Sequence, residues 1–144
     1  MAERTERAVL NHLIETCRDA ERGLRMAAEE VQSPELQRLF LGLADQRHAF
    51  ASELLPHAQR LGGASGADGM ATAAVHRAWM RIKAQLASDR DHAVLEEAAR
   101  GERYAAHAYD DAVADVIPPE SRDLVETQDL GVRLARRLVT GLAA

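Results

Sequence analysis

From about residue 5 to residue 32, apolar side chains return every seven positions, and this period constrains the chain more than any other feature. Leu10, Cys17, Leu24 and Val31 form one series, and Leu13, Ala20 and Ala27 fill the alternate places. Such a seam is what a helix presents to its neighbours in a bundle. Ser33-Pro34 ends this helix and opens the next, with Ser33 as N-cap and Pro34 at the first helical position, where its missing N–H is not needed. So short a link folds the two helices back as an antiparallel hairpin. The second helix, reaching about Arg60, carries Leu36, Leu43 and Phe50, with Phe40 and Leu54 beside them.

Composition supports the helical reading. The chain has 144 residues, the size of one domain. Hydrophobic residues make up 47%, mostly Ala and Leu, and aromatics only 3%, a mixture poor in what sheets need. A single cysteine, Cys17, excludes a disulfide framework and a Cys-based zinc site, and its place in the seam marks it as a small buried hydrophobe. The net charge of −5 offers no basic footprint for nucleic acid. The charged start, Met-Ala-Glu-Arg-Thr-Glu-Arg, has no signal-peptide core, and no stretch is long and apolar enough to span a membrane. A cytoplasmic location is expected.

Beyond the first hairpin, Leu61-Gly62-Gly63-Ala64-Ser65-Gly66-Ala67-Asp68-Gly69 reads as a flexible linker. A shorter helix follows, with Val75, Trp79, Ile82 and Leu86 on one face and His76, Arg77, Arg81 and Lys83 on the other. Asp89-Arg90-Asp91 breaks the pattern and supplies caps. A long helix to about Val116 has Val94, Ala98, Gly101, Ala105, Ala108 and Ala112 in its seam. Pro118-Pro119 stops it and starts the last helix, where Val125, Val132 and Val139 alternate with Gln128, Ala135 and Leu142.

The second half repeats the first. Glu21-Arg22 aligns with Glu102-Arg103, and at the same offset Leu24 meets Ala105 and Ala28 meets Tyr109. In the partner helices Leu43, Gln46 and Phe50 align with Val125, Gln128 and Val132. The expected fold is therefore all-α: one domain over 1–144, an up-down four-helix bundle made of hairpins 5–60 and 91–143, with a linker and short crossover helix over 61–89.

Where the apolar pattern fails, it fails at mid-helix. Glu21 and Glu102 stand at the edges of their stripes. Gln46 and Gln128 take seam positions, with Arg47 and Asp129 beside them. Together Glu21, Gln46, Arg47, Glu102, Gln128 and Asp129 predict a polar layer across the bundle. Buried carboxylates need a counter-charge, a proton or a metal. As a metal centre the layer would use Glu21, Glu102, Glu53, Gln46 and Gln128 around iron or manganese. Di-metal bundles add Glu-x-x-His pairs, whereas here Gln46 is followed three later by Ala49, and Gln128 by Gly131. Asp45 and His48 have that spacing but fall on the outward face. The ligand chemistry favours the other reading, a structural network pairing a glutamate with Arg47. The six histidines form no zinc motif, and no nucleophile elbow or phosphate loop is present.

These residues carry a resemblance. Val9 to Glu21, Gln46-Arg47 with Phe50-Ala51 and Glu53-Leu54, Arg60-Leu61-Gly62-Gly63, and His76-Arg77-Ala78-Trp79-Met80 occur in one order. Leu95-Glu96-Glu97, Arg100-Gly101-Glu102, and Val125-Glu126 with Gln128 continue it. Nearly the whole chain resembles small bacterial ferritin-like four-helix-bundle proteins of unknown function. The resemblance implies a ferritin-like fold in a stand-alone cytoplasmic protein and no established activity. Ferritin and rubrerythrin relatives bind two metals and handle iron or peroxide; of their ligands, only Glu21 and Glu102 have counterparts here.

The leading expectation is a non-enzymatic, stress-associated bundle protein without a cofactor, with a degenerate carboxylate and amide site at mid-bundle, self-associating as a dimer. One alternative is an iron- or manganese-binding protein or oxidoreductase. A second is an interaction module acting through the basic Trp79 helix on an anionic partner or membrane surface.

Overall fold

A computed structural model describes residues 2–62, 73–83 and 87–144. It is all-α: the described residues form α1 (Ala2–Glu30), α2 (Pro34–Arg60), α3 (Ala73–Lys83), α4 (Ala87–Ala114) and α5 (Pro119–Ala143). Most of the linker, from Gly63, and the seam residue Leu86 lie outside the described residues, as do the side chains of Val75, His76 and Lys83.

Both hairpin turns form at the prolines. Ser33 caps α2, its hydroxyl accepting the Leu36 N–H at 3.3 Å. At the second turn Pro118 has no capping side chain, and the Ser121 N–H returns to its carbonyl at 2.9 Å. Pro56 lies inside α2 near its end, and its missing donor releases the carbonyl of exposed Ser52, four residues earlier.

Cross-helix pairs give the directions. Gln37 reaches the Ala28 carbonyl and His48 reaches Glu21, so α2 returns along α1. Arg122 reaches the Val113 carbonyl and Tyr109 reaches Gln128, so α5 returns along α4. The two hairpins join mainly through α1 and α4, while α3 lies on α4 and α1. Asp91 clamps this junction from α4, accepting the N–H groups of Gln32 at 2.7 Å and Ser33 at 3.1 Å in the first turn. The expected break at Asp89-Arg90-Asp91 is absent: α4 runs through it, and the cap serves the other hairpin.

Two apolar clusters fill the interior. Leu10, Leu13, Ile14, Leu54, Tyr109, Val125 and Val132 belong to one. Leu24, Ala27, Phe40, Trp79, Val94 and Val139 belong to the other. On α2 the buried stripe is Phe40, Ala44, Arg47, Ala51, Leu54 and Ala58, so the helix is turned from the expected seam, leaving Leu43 and Phe50 half-buried. On α4 the turn buries Glu102 and Tyr109 and exposes Gly101. On α5 Leu142 is exposed, together with Leu130, Leu134 and Leu138.

Candidate functional site at mid-bundle

The α2 stripe runs Phe40, Ala44, Arg47, Ala51, and the third position puts a guanidinium in the core. Arg47 is 0% exposed and Glu102 is 2% exposed. Arg47 Nη2 donates to Glu102 Oε2 at 2.5 Å, and Nε donates to Gln46 Oε1 at 3.2 Å. Arg47 Nη1 is buried without a hydrogen-bond partner. Removing two such ions from water costs several kcal/mol each, and only their mutual attraction offsets it. The pair ties α2 of one hairpin to α4 of the other.

Next to it runs a hydrogen-bond chain. Tyr109 donates its hydroxyl to Gln128 Oε1 at 2.7 Å, and Cys17 Sγ lies 3.1 Å from the same hydroxyl. Because the phenolic proton goes to Gln128, the thiol donates to the phenol oxygen. Gln128 Nε2 then donates to the Phe50 carbonyl and to Glu53 Oε1, each at 3.2 Å. Four helices are thereby joined through Cys17, Tyr109, Gln128 and Phe50. Burial pushes the Cys17 thiol up to about 11, outweighing the opposite influence of Tyr109 and Arg47. Burial likewise raises the Tyr109 hydroxyl above the usual phenol range, and nearby Cys17 adds to it. Both groups are neutral donors at physiological pH, not nucleophile or base.

Glu21 is placed elsewhere. Its carboxylate is half-buried at the α1–α2 surface, held by Arg25 at 2.9 Å and facing His48 at 3.2 Å, while Arg25 also meets Asp45 at 3.2 Å. Asp129 is buried and meets Arg133 at 3.1 Å, with Oδ1 unpartnered; desolvation raises its pKa despite the nearby guanidinium. Of the six expected layer residues, Arg47, Glu102, Gln128 and Asp129 are buried, and Gln46 and Glu21 are half-buried. Tyr109 and Cys17 belong to the layer and were not expected in it. The available signal was register: Tyr109 follows Glu102 by seven and replaces Ala28 of the repeat.

A metal centre built on Glu21, Glu102, Glu53, Gln46 and Gln128 was the alternative reading of the layer. Among the described residues, no three His, Cys, Asp or Glu side chains gather to hold an ion. Glu102 faces a guanidinium, which occupies the counter-charge role a metal would take. Three residues after Gln128, where an imidazole would complete a ligand pair, stands Gly131. A Cβ there would meet Phe50 Cζ at 3.0 Å and Gln46 Nε2 at 3.3 Å, so the space is already filled. These residues do not fit a di-iron or di-manganese centre.

The chain matches, over residues 5–115, the family described as a domain of unknown function (DUF2383), and it belongs to that family. No curated protein matches it.

Proposed function

We propose that this member of the DUF2383 family is a non-enzymatic, ferritin-like bundle protein whose mid-bundle layer fixes the register of two hairpins. The Arg47–Glu102 pair carries this reading, because a buried guanidinium already supplies the counter-charge that Glu102 would otherwise take from a metal ion. The topology supports the ferritin-like part. Arg47 and Glu102, and Gln128 and Phe50, pair helices of different hairpins, and α2 connects to α4 by one long crossover. The family resemblance adds a bacterial, cytoplasmic setting.

Metal loading tests it. Protein prepared without chelator and exposed to Fe(II) or Mn(II) in air binds no stoichiometric metal on this reading. About one or two ions per chain, lost in both Glu21→Ala and Glu102→Ala, would overturn it.

Self-association is the second part of the proposal. Leu130, Leu134, Leu138 and Leu142 are all exposed along α5 at four-residue spacing, a stripe that a second copy would cover. Sedimentation should show a dimer that Leu134→Glu with Leu138→Glu dissociates; a monomeric parent protein would remove this part and leave the first standing.

A further inference from the structure

A groove of about 620 Å³ lies between α1 and α4 under the edge of α3. That is the size of a small-molecule site rather than a packing defect. Its floor is made of small residues, Ala20 and Gly23 on α1 and Gly101 and Ala105 on α4, and one wall is Trp79. A Cβ added at Gly23 or at Gly101 would meet nothing within 4 Å, so both positions open onto free space.

Charge is uneven around this apolar floor. Glu102 reaches the lining, but Arg47 neutralises it, and Glu97 is paired with Arg100 at 3.1 Å. Arg77 and Arg81, one turn apart on α3, are exposed and meet no carboxylate among the described residues. Two guanidiniums at that spacing sit about 5–6 Å apart at their bases and can share one carboxylate by charge-assisted hydrogen bonds. Asp19 is the remaining acid of the lining and is engaged in an interaction of its own.

We propose that the groove binds a single-chain amphipathic anion, its carboxylate held by Arg77 and Arg81 and its apolar chain laid over the small residues of α1 and α4. The occupant is a free acyl-type carboxylate, because a narrow open groove floored by Ala and Gly fits one slender chain. Arg77 and Arg81 supply the charge complement, and Trp79 supplies the apolar wall.

Trp79 is the chain's one tryptophan, so its fluorescence reports the groove directly. Dodecanoate, titrated into the full chain below its micelle concentration, should change that fluorescence saturably at one molecule per chain. Gly23→Leu projects into the groove from a position where an added Cβ meets nothing within 4 Å, and Gly101→Leu does so from α4 should the first variant misfold by circular dichroism. Either should weaken binding at least about tenfold, as should Arg77→Gln with Arg81→Gln. Dodecylammonium should bind far more weakly than dodecanoate. The proposal is overturned if dodecanoate leaves Trp79 unchanged, if the leucine variants bind as the parent does, or if the ammonium binds equally. A response to phosphatidylglycerol vesicles that Gly23→Leu leaves intact, with none to dodecanoate, would assign the helix to a lipid surface and also overturn it.

Discussion

Glu21 and Glu102 occupy equivalent places in the two halves of the repeat, yet they live in different solvents. Glu102 is sealed in the core against Arg47, with both side chains at 2% exposure or less. Glu21 is a fifth exposed and shares its charge with Arg25 and His48 at the surface. Both halves kept a glutamate at mid-helix, but only one kept it inside. Rotation is not the cause, since both helices bury the equivalent positions, Leu24 and Ala105, Ala27 and Ala108, Ala28 and Tyr109. What differs is the counter-charge, buried Arg47 for Glu102 and exposed Arg25 and His48 for Glu21. Two helices can thus bury the same positions and still hold a glutamate in different surroundings, according to where its partner lies.

The largest test removes one member of the buried pair. Glu102→Ala leaves the Arg47 guanidinium uncompensated and should cost about 3–5 kcal/mol, read as a fall in the urea midpoint at constant slope. Arg47→Met with Glu102→Leu removes both charges and should return to within about 1 kcal/mol of the parent or exceed it. A double variant as weak as the single would mean that the pair itself stabilises the fold. Cys17 offers an independent readout of the same region. Its thiol, raised to about 11 by burial, should resist alkylation at pH 8 in the native protein and react readily in Glu102→Ala. Ready reaction in the parent would contradict the sealed layer.

A smaller effect is expected one step along the chain of hydrogen bonds. Tyr109→Phe removes the hydroxyl between Cys17 and Gln128 and leaves Gln128 Oε1 without its donor, which should cost about 1–3 kcal/mol by the same denaturant measurement. A neutral result would show that the amide finds another partner and that the layer is held by the ion pair alone.

Between buried and exposed lies His57, half-buried at the α2–α5 contact, with Nδ1 2.6 Å from Ser121 Oγ and 2.8 Å from Arg60 Nη2. Desolvation lowers its pKa below 6.5, and Arg60 lowers it further, against the pull of Glu120. The unfolded chain therefore binds the proton more tightly, so the stability His57 contributes is present above about pH 6.5 and is lost as pH falls through its native value. The denaturation midpoint should drop between about pH 7 and pH 5, and His57→Gln should flatten that slope. An unchanged slope would place the titration elsewhere.

How legible this was in the sequence depended on the kind of signal. Pro34 and the Pro118-Pro119 pair announced both hairpin turns, because proline at a helix start is a local rule. The rotation of α2 was misread because two apolar stripes adjoin: Leu36, Leu43 and Phe50 look larger, but Ala44, Ala51 and Ala58 are the ones buried. In a bundle this rich in alanine, close approach of the helices decides burial more than side-chain size does. Arg47 and Glu102 were expected in a buried or half-buried layer, with either Glu21 or Glu102 as the partner of Arg47, and the structure pairs Arg47 with Glu102. Their pairing spans two hairpins and has no local pattern. Asp91 is similar: a break and a cap were expected there, and the cap it supplies serves the other hairpin's turn.

The smallest effect belongs to Glu21, and it decides whether the comparison is about solvent or about the residue. Glu21→Ala breaks contacts to Arg25 and His48, whose side chains are 42% and 66% exposed. Water screens such a cluster, so the loss should be at most about 1 kcal/mol. It should also shrink in about 1 M salt, where the screening length falls to roughly 3 Å, while the loss in Glu102→Ala should persist there because salt does not reach the core. A Glu21→Ala loss as large as that of Glu102→Ala and insensitive to salt would mean that the rim carboxylate acts on the buried layer. The two halves would then share one polar network despite their different burial.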